Sequence, residues 1–351
     1  MKKTLAVALA GLALPLSPAF AQSSVTLYGL VDAGISRIEN GGGDSSTHVR
    51  SGNAYSSRLG WRGTEDLGNG LKAMFTLEAG VNIATGATST PYFNRQSWVG
   101  LASSDWGQLT LGRQLPSIAD AFIPMLNASY FGNHAAAIDG AAIGSGSSVA
   151  RFNNMIGGTR VDNAVKYQSP ILGGLKLHAM ATSKEPGTTV GRMLSLGATY
   201  SSEHIDAGLV VHDRRCAEDG GCPAGKAKDR IWGLGASYKL DGARYGVIYT
   251  RQKNALTVQG NDADVIDLLA RVPFGAWILA AGYQYLNDRT ALNQDTRQLN
   301  LGTTYVLSKR TSLYGIFSRQ TAKNGGKAGM YSVTSTSGRQ NQLSVGMVHT
   351  F

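Results

Sequence analysis

The side chains in this sequence best suited to chemistry are its arginines. In Tyr55-Ser56-Ser57-Arg58-Leu59-Gly60-Trp61-Arg62-Gly63-Thr64-Glu65-Asp66, Leu59 and Trp61 alternate with Arg58 and Arg62. A strand here puts the apolar pair on one face and both guanidiniums on the other. Guanidinium groups stay charged, and a row of them passes an anion along without a deep binding well. Lys72, Lys166, Lys176, Lys239, Arg244 and Arg271 share the polar phase of their own segments, against Asp32, Glu78, Asp162, Asp206 and Asp267. For any single lysine the plainer reading is that it only solvates a water-filled interior.

Covalent and metal chemistry find little support. The six histidines, His48, His134, His178, His204, His212 and His349, show neither ligand spacing nor a triad. Gly144-Ser145-Gly146 lacks the G-x-S-x-G pattern of a nucleophile elbow, and Gly233-Leu234-Gly235 lies in a strand with no following helix to cradle a dinucleotide. Cys216 and Cys222 share one connection, where export favours a local disulfide over a metal pair, which needs more ligands. No metal and no cofactor is expected.

Such a row of arginines needs strands to position it. Segments of about ten alternating residues recur along the chain, and sixteen can be traced, from 25–36 and 55–65 to 275–286, 311–320 and 340–351. Short turns at Asp66-Leu67-Gly68-Asn69-Gly70, Leu240-Asp241-Gly242, Pro273-Phe274-Gly275 and Leu307-Ser308-Lys309-Arg310 alternate with longer polar connections such as 37–54 and 321–339. Leu343, Val345, Met347, His349 and Phe351 fall on one face of the terminal strand. Trp277, Leu279, Ala281, Tyr283 and Tyr285 form an apolar stripe with aromatics at both ends, and Tyr167, Tyr200, Tyr245, Tyr305 and Phe351 fall near short-turn ends. Aromatics are stable at the headgroup level of a bilayer, and lipid admits only helices or edgeless barrels. The expected fold is all-β, a sixteen-stranded antiparallel transmembrane barrel with both termini on its short-turn, periplasmic side.

Met1-Lys2-Lys3, an apolar stretch to Ser17 and Ala19-Phe20-Ala21 read as a secretory signal over residues 1–21, with the barrel over 22–351. Without Lys2 and Lys3 the 33 basic residues fall to 31 against 23 acidic ones, a balance of +8. The basic residues are scattered, which argues against nucleic acid and for an anion-attracting interior or a lipid-facing rim. The 47-residue span from Gln114 to Arg160, rich in Ala, Gly, Asn and Ser, is out of proportion; structureless loops of that length are uncommon and usually functional.

Ser57 to Gly68, Asn94-Arg95-Gln96-Ser97-Trp98-Val99-Gly100-Leu101, Gly107 to Gln114, Asn163-Ala164-Val165-Lys166-Tyr167-Gln168-Ser169-Pro170 and the terminal Phe351 together resemble the general porins of Gram-negative outer membranes, betaproteobacterial branch. The likeness covers essentially the whole mature chain. It implies a homotrimer in outer-membrane lipid and lipopolysaccharide, with the third external loop, about 114–160, folded inward as the constriction. Phe351 would be read by the outer-membrane assembly machinery. An arginine ladder of Arg58, Arg62, Arg95 and Arg160 would face acids on loop three, for which this chain offers Asp120 and Asp139. Arg95 shares a phase with Val99 and Leu101, so it needs a bulge or a place above the lipid band to reach the lumen. Asp32, Lys72, Glu78 and Lys166 complete the expected lumenal set.

The expected function is passive, anion-preferring diffusion of small hydrophilic solutes, without catalysis. Three other readings stay open: a substrate-specific channel, marked by saturable block; a barrel enzyme, which needs a Ser/His or Asp/His cluster at one rim; and an exported β-rich adhesin, extracted by salt rather than detergent.

Overall fold

The computed structural model describes residues 24–126, 160–183, 190–216, 228–255, 259–330 and 333–351. In chain order the elements are β1 (Ser24–Asn40), β2 (Ser45–Ser51), β3 (Arg58–Gly68), β4 (Leu71–Gly80), β5 (Gln96–Ser103), β6 (Gly107–Gln114) and the helix α1 (Ser117–Leu126). After it come β7 (Val161–Gln168), β8 (Leu175–Thr182), β9 (Val190–Ser201), β10 (Ile205–Cys216), β11 (Asp229–Leu240), β12 (Ala243–Lys253) and β13 (Ala263–Phe274). β14 (Trp277–Asp288), β15 (Thr296–Val306), β16 (Thr311–Ala322), a two-residue pair β17 (Gly329–Met330) and β18 (Val333–Thr334), and β19 (Arg339–Thr350) follow.

Every neighbouring pair in the main sheet is antiparallel, and β1 closes it by pairing with β19 from Leu30 opposite Thr350 to Asn40 opposite Gln340. The other edge of β1 pairs with β3 over its first half and β2 over its second, so β2 and β3 make one stave interrupted at 52–57. Counted that way, the described residues form a closed barrel of sixteen staves. Asn69-Gly70 and Asp241-Gly242, all four at positive φ, form the tight turns after β3 and β11, the left-handed geometry that two-residue hairpins require.

Burial follows the pleat. On β11, Trp232, Leu234, Ala236 and Tyr238 face outward while Ile231, Gly233, Gly235 and Ser237 face in. Tyr167, Tyr200, Tyr245, Trp277, Tyr305 and Phe351 are exposed beside the short turns, with the Trp277 and Tyr305 rings 4.7 Å apart. No described helix is long and apolar enough to cross a membrane.

Two regions depart from the sequence reading. The 37–54 connection is partly strand, because β1 runs on to Asn40 and β2 pairs back along it. Ser45-Ser46-Thr47-His48-Val49-Arg50-Ser51 carries almost no apolar alternation, since above the lipid band backbone pairing alone holds it. The interior is also less polar than expected. Ile118, Ala121, Phe122 and Met125 of α1 are fully buried in a cluster with inward-facing Val210, Ile231, Ile248 and Leu269. Gly235 makes room, since a Cβ there would lie 2.8 Å from Met125 Sδ. Burying Phe122 alone contributes about 1.5–3 kcal/mol.

Candidate functional site

The inward face of β1, β3 and β4 carries the site. Tyr28, Gly60 and Glu78 stand in one row across the three strands, and Leu30, Arg58 and Gly80 in the next. Gly60 lets Tyr28 reach across it, because a Cβ there would sit 2.7 Å from the Tyr28 ring. The Tyr28 hydroxyl donates to Glu78 Oε2 at 3.0 Å, and Arg58 Nε stands 3.9 Å from the same oxygen. Arg62 lies with its Cζ 5.2 Å from the Tyr28 ring centroid, within cation–π range.

Arg95 meets the condition that alternation set for it. It precedes β5, outside the strand's pleat, and its backbone N–H donates to Glu78 O at 3.2 Å. From there its Nε bonds Glu78 Oε1 at 2.6 Å. Arg160, immediately before β7, joins the group: burial first and then the Arg95 charge push its guanidinium down to about 9, with Arg58 and Arg113 adding to the effect and Glu78 opposing it. It remains charged at neutral pH. Arg58 and Arg95 therefore share one carboxylate, and Arg160 stands within its electrostatic reach. Two guanidiniums ~6 Å apart at an effective dielectric of ~20 repel by about 3 kcal/mol, which a passing anion relieves.

Asp32 is inward but fully buried, and it is a bracket rather than a pore-lining charge. Its carboxylate accepts the Ala54 and Tyr55 N–H groups at 2.7 and 2.6 Å and the Tyr314 hydroxyl at 2.7 Å, fixing the 52–57 segment that leads into Arg58. Lys166 donates to Leu115 O at 3.0 Å and pairs with Asp120, with His178 Nδ1 3.7 Å from that carboxylate. Asp120 thus faces Lys166, and among the described residues no ion pair joins it to the arginines. Lys72 shares the inward phase of Glu78 and is exposed toward the short-turn end. Asp162, expected inward, is turned out of phase by a bulge: Asn163 has φ 53°, Val161 and Ala164 are buried, and Asp162 is exposed. Asp139 and Cys222 lie outside the described residues, as does the side chain of Cys216.

Two participants escaped the sequence reading. Tyr28 lies on the inward phase of β1 with no motif in the sequence to mark it. Arg113 sits at a register shift after Gly112, and donates to Asn94 O at 2.7 Å and Asp162 Oδ1 at 2.6 Å. The glycine before it was the available signal. Phe351 exchanges backbone hydrogen bonds with Gly29, 3.1 Å each way, and so helps bind the last strand to the first.

Comparison with known proteins gives this arrangement a context. A family model described as Gram-negative porin matches residues 5–325. The chain is 34% identical over 323 residues to outer membrane porin protein 32 of Delftia acidovorans, covering 90% of this chain and 88% of that one. It is 30% identical to an outer membrane porin protein of Bordetella pertussis, covering 90% and 93% of the two chains. Among solved structures, an anion-selective porin from Comamonas acidovorans superposes with a TM-score of 0.79 at 27% identity, over 94% of this chain and all of that one. A closed sixteen-stave barrel, an arginine group on its inner wall and these likenesses agree: the chain belongs to the Gram-negative porin family and is a protein of the outer membrane.

Proposed function

We propose that this porin is a passive, anion-preferring diffusion channel for small hydrophilic solutes, assembled as a homotrimer and needing no cofactor or catalytic group. The observation that carries the reading is the gathering of Arg58 and Arg95 on one carboxylate, Glu78, with the charge of Arg160 felt by all three and Arg62 a step below on Tyr28. Asp120 does not offset them, because Lys166 neutralises it. The anion-selective character of the Comamonas relative supports the same sign. The inward seat of α1 supports the remainder of the 114–160 connection as the constriction, with Asp139 on it. Phe351 serves as the signal for the assembly machinery, after residues 1–21 have directed export.

The test is the reversal potential of purified protein in a planar bilayer under a salt gradient. An anion-side potential is expected, and Arg58→Ser combined with Arg160→Ser should reduce the anion-to-cation permeability ratio severalfold while conductance steps persist. A cation-side potential in the unmodified protein would overturn the charge argument. Saturable block by one solute would favour a substrate-specific channel, and absence of conductance would favour the enzyme or adhesin reading.

A further inference from the structure

Period-two alternation places Arg58 and Arg62 on the inner wall, but no pleat places Arg95 or Arg160. Each stands just outside a strand, Arg95 before β5 and Arg160 before β7. Arg95 is tied to Glu78 by its backbone N–H at 3.2 Å and by its Nε at 2.6 Å. For Arg160, Nε is buried without a hydrogen-bond partner, and among the described residues no ion pair reaches it. The hold on this segment lies two residues further on, at Asp162.

Gly112 pairs with Ala164 and Gln114 with Val161, so the single residue Arg113 of β6 faces two of β7, Asp162 and Asn163. That is a bulge on β7, with Asn163 at φ 53°. On its other side β6 lies tight against β5, because at the φ of 127° that Gly112 adopts, a Cβ would stand 2.3 Å from Ser97 O. The Arg113 guanidinium spans the result. Its Nε donates to Asn94 O at 2.7 Å and its Nη1 to Asp162 Oδ1 at 2.6 Å, while Asn94 Oδ1 accepts the Gly80 N–H at 2.8 Å. One fork thus joins the residue before Arg95 to the residue two after Arg160.

An ion pair whose acid is as exposed as Asp162, at 55%, adds little to stability. Its effect is geometric. A planar guanidinium fixes two hydrogen-bond directions at once, which a lysine ammonium on a flexible stem does not, and the joint pull of two cations on a passing anion changes with their separation. The Arg113 charge also reaches Arg160, so a further positive charge in the pathway and a mechanical brace make opposite predictions for the same variants.

On the channel reading above, we infer that Arg113 is a positioning residue of the anion pathway, a brace that sets the separation of Arg95 from Arg160 through Asn94 and Asp162. The experiment measures reversal potential and unitary conductance in planar bilayers for the full-length protein, Arg113→Lys, Asp162→Asn and the two combined. Arg113→Lys keeps the net charge and loses the fork, and it should lower the anion-to-cation permeability ratio severalfold. Asp162→Asn removes a negative charge, yet it should lower the ratio as well, because the brace slackens. The double variant should be no worse than the more affected single one. Heat-induced unfolding on gels should match the unmodified protein in all three, which separates a slack brace from a damaged barrel. Wild-type selectivity in Arg113→Lys, or a raised ratio in Asp162→Asn, would show that Arg113 acts by charge alone and would overturn the brace. A cation-side potential in the unmodified protein would overturn the channel reading instead, and a changed unitary conductance in Arg113→Lys would then still support the brace, while an unchanged one would overturn it too.

Discussion

Glu78 is the residue on which the inner charge group balances. It is the carboxylate that Arg58, Arg95 and the Tyr28 hydroxyl share, so Glu78→Gln should push the reversal potential further to the anion side. The same change should lower thermal stability by about 1–3 kcal/mol, the usual cost when a charged hydrogen-bond partner is weakened. Arg160 keeps its charge well above neutrality, so the anion preference should stay flat between pH 6 and 8, as reversal potentials at constant ionic strength would show. Arg58 and Arg62 were legible from alternation with Leu59 and Trp61. Arg95 and Arg160 were not, because each sits just outside a strand where period-two reasoning stops, and only family likeness pointed to them. Asp120 was legible as an acid of the third loop, but its partner Lys166 lies 46 positions away across a fold that the local sequence does not express.

Among elements, α1 and the 52–57 interruption are the two that the barrel period could not foretell. The helix is held at one end by Lys166 and Asp120 and seated by glycines on the inner wall, so it is a packed part and not a tether. Gly235→Leu should drive a side chain into Met125 and unseat it, giving noisier single-channel currents of altered size at unchanged barrel content by circular dichroism. Asp32→Ala should leave two backbone N–H groups and a buried hydroxyl without their acceptor, each worth about 1–3 kcal/mol, and should lower the heat-induced unfolding temperature on gels. Strand alternation, short turns and the aromatic girdle were readable because each is a local consequence of a pleat meeting lipid on one side. β2 was not, since its residues meet water on both faces and carry no apolar period.

For the molecule as a whole, closure rests on the pairing of β1 with β19, eleven register partners that join residues some 300 positions apart. Sequence reading reached the sixteen staves and their even number because the outward phase repeats; it reached closure only by the physical argument that lipid admits no open edge. That seam has a consequence for how the protein comes into being. Its two strands sit at opposite ends of the polymer, so the edge of β1 stays unpaired on one side until the final segment arrives. Folding is thereby a whole-chain event with very high contact order, slow by its topology, and any intermediate carries raw strand edges that invite aggregation. The chain must be kept apart from its neighbours during transit, and a nascent polypeptide halted anywhere before β19 is a sheet that cannot become a pore.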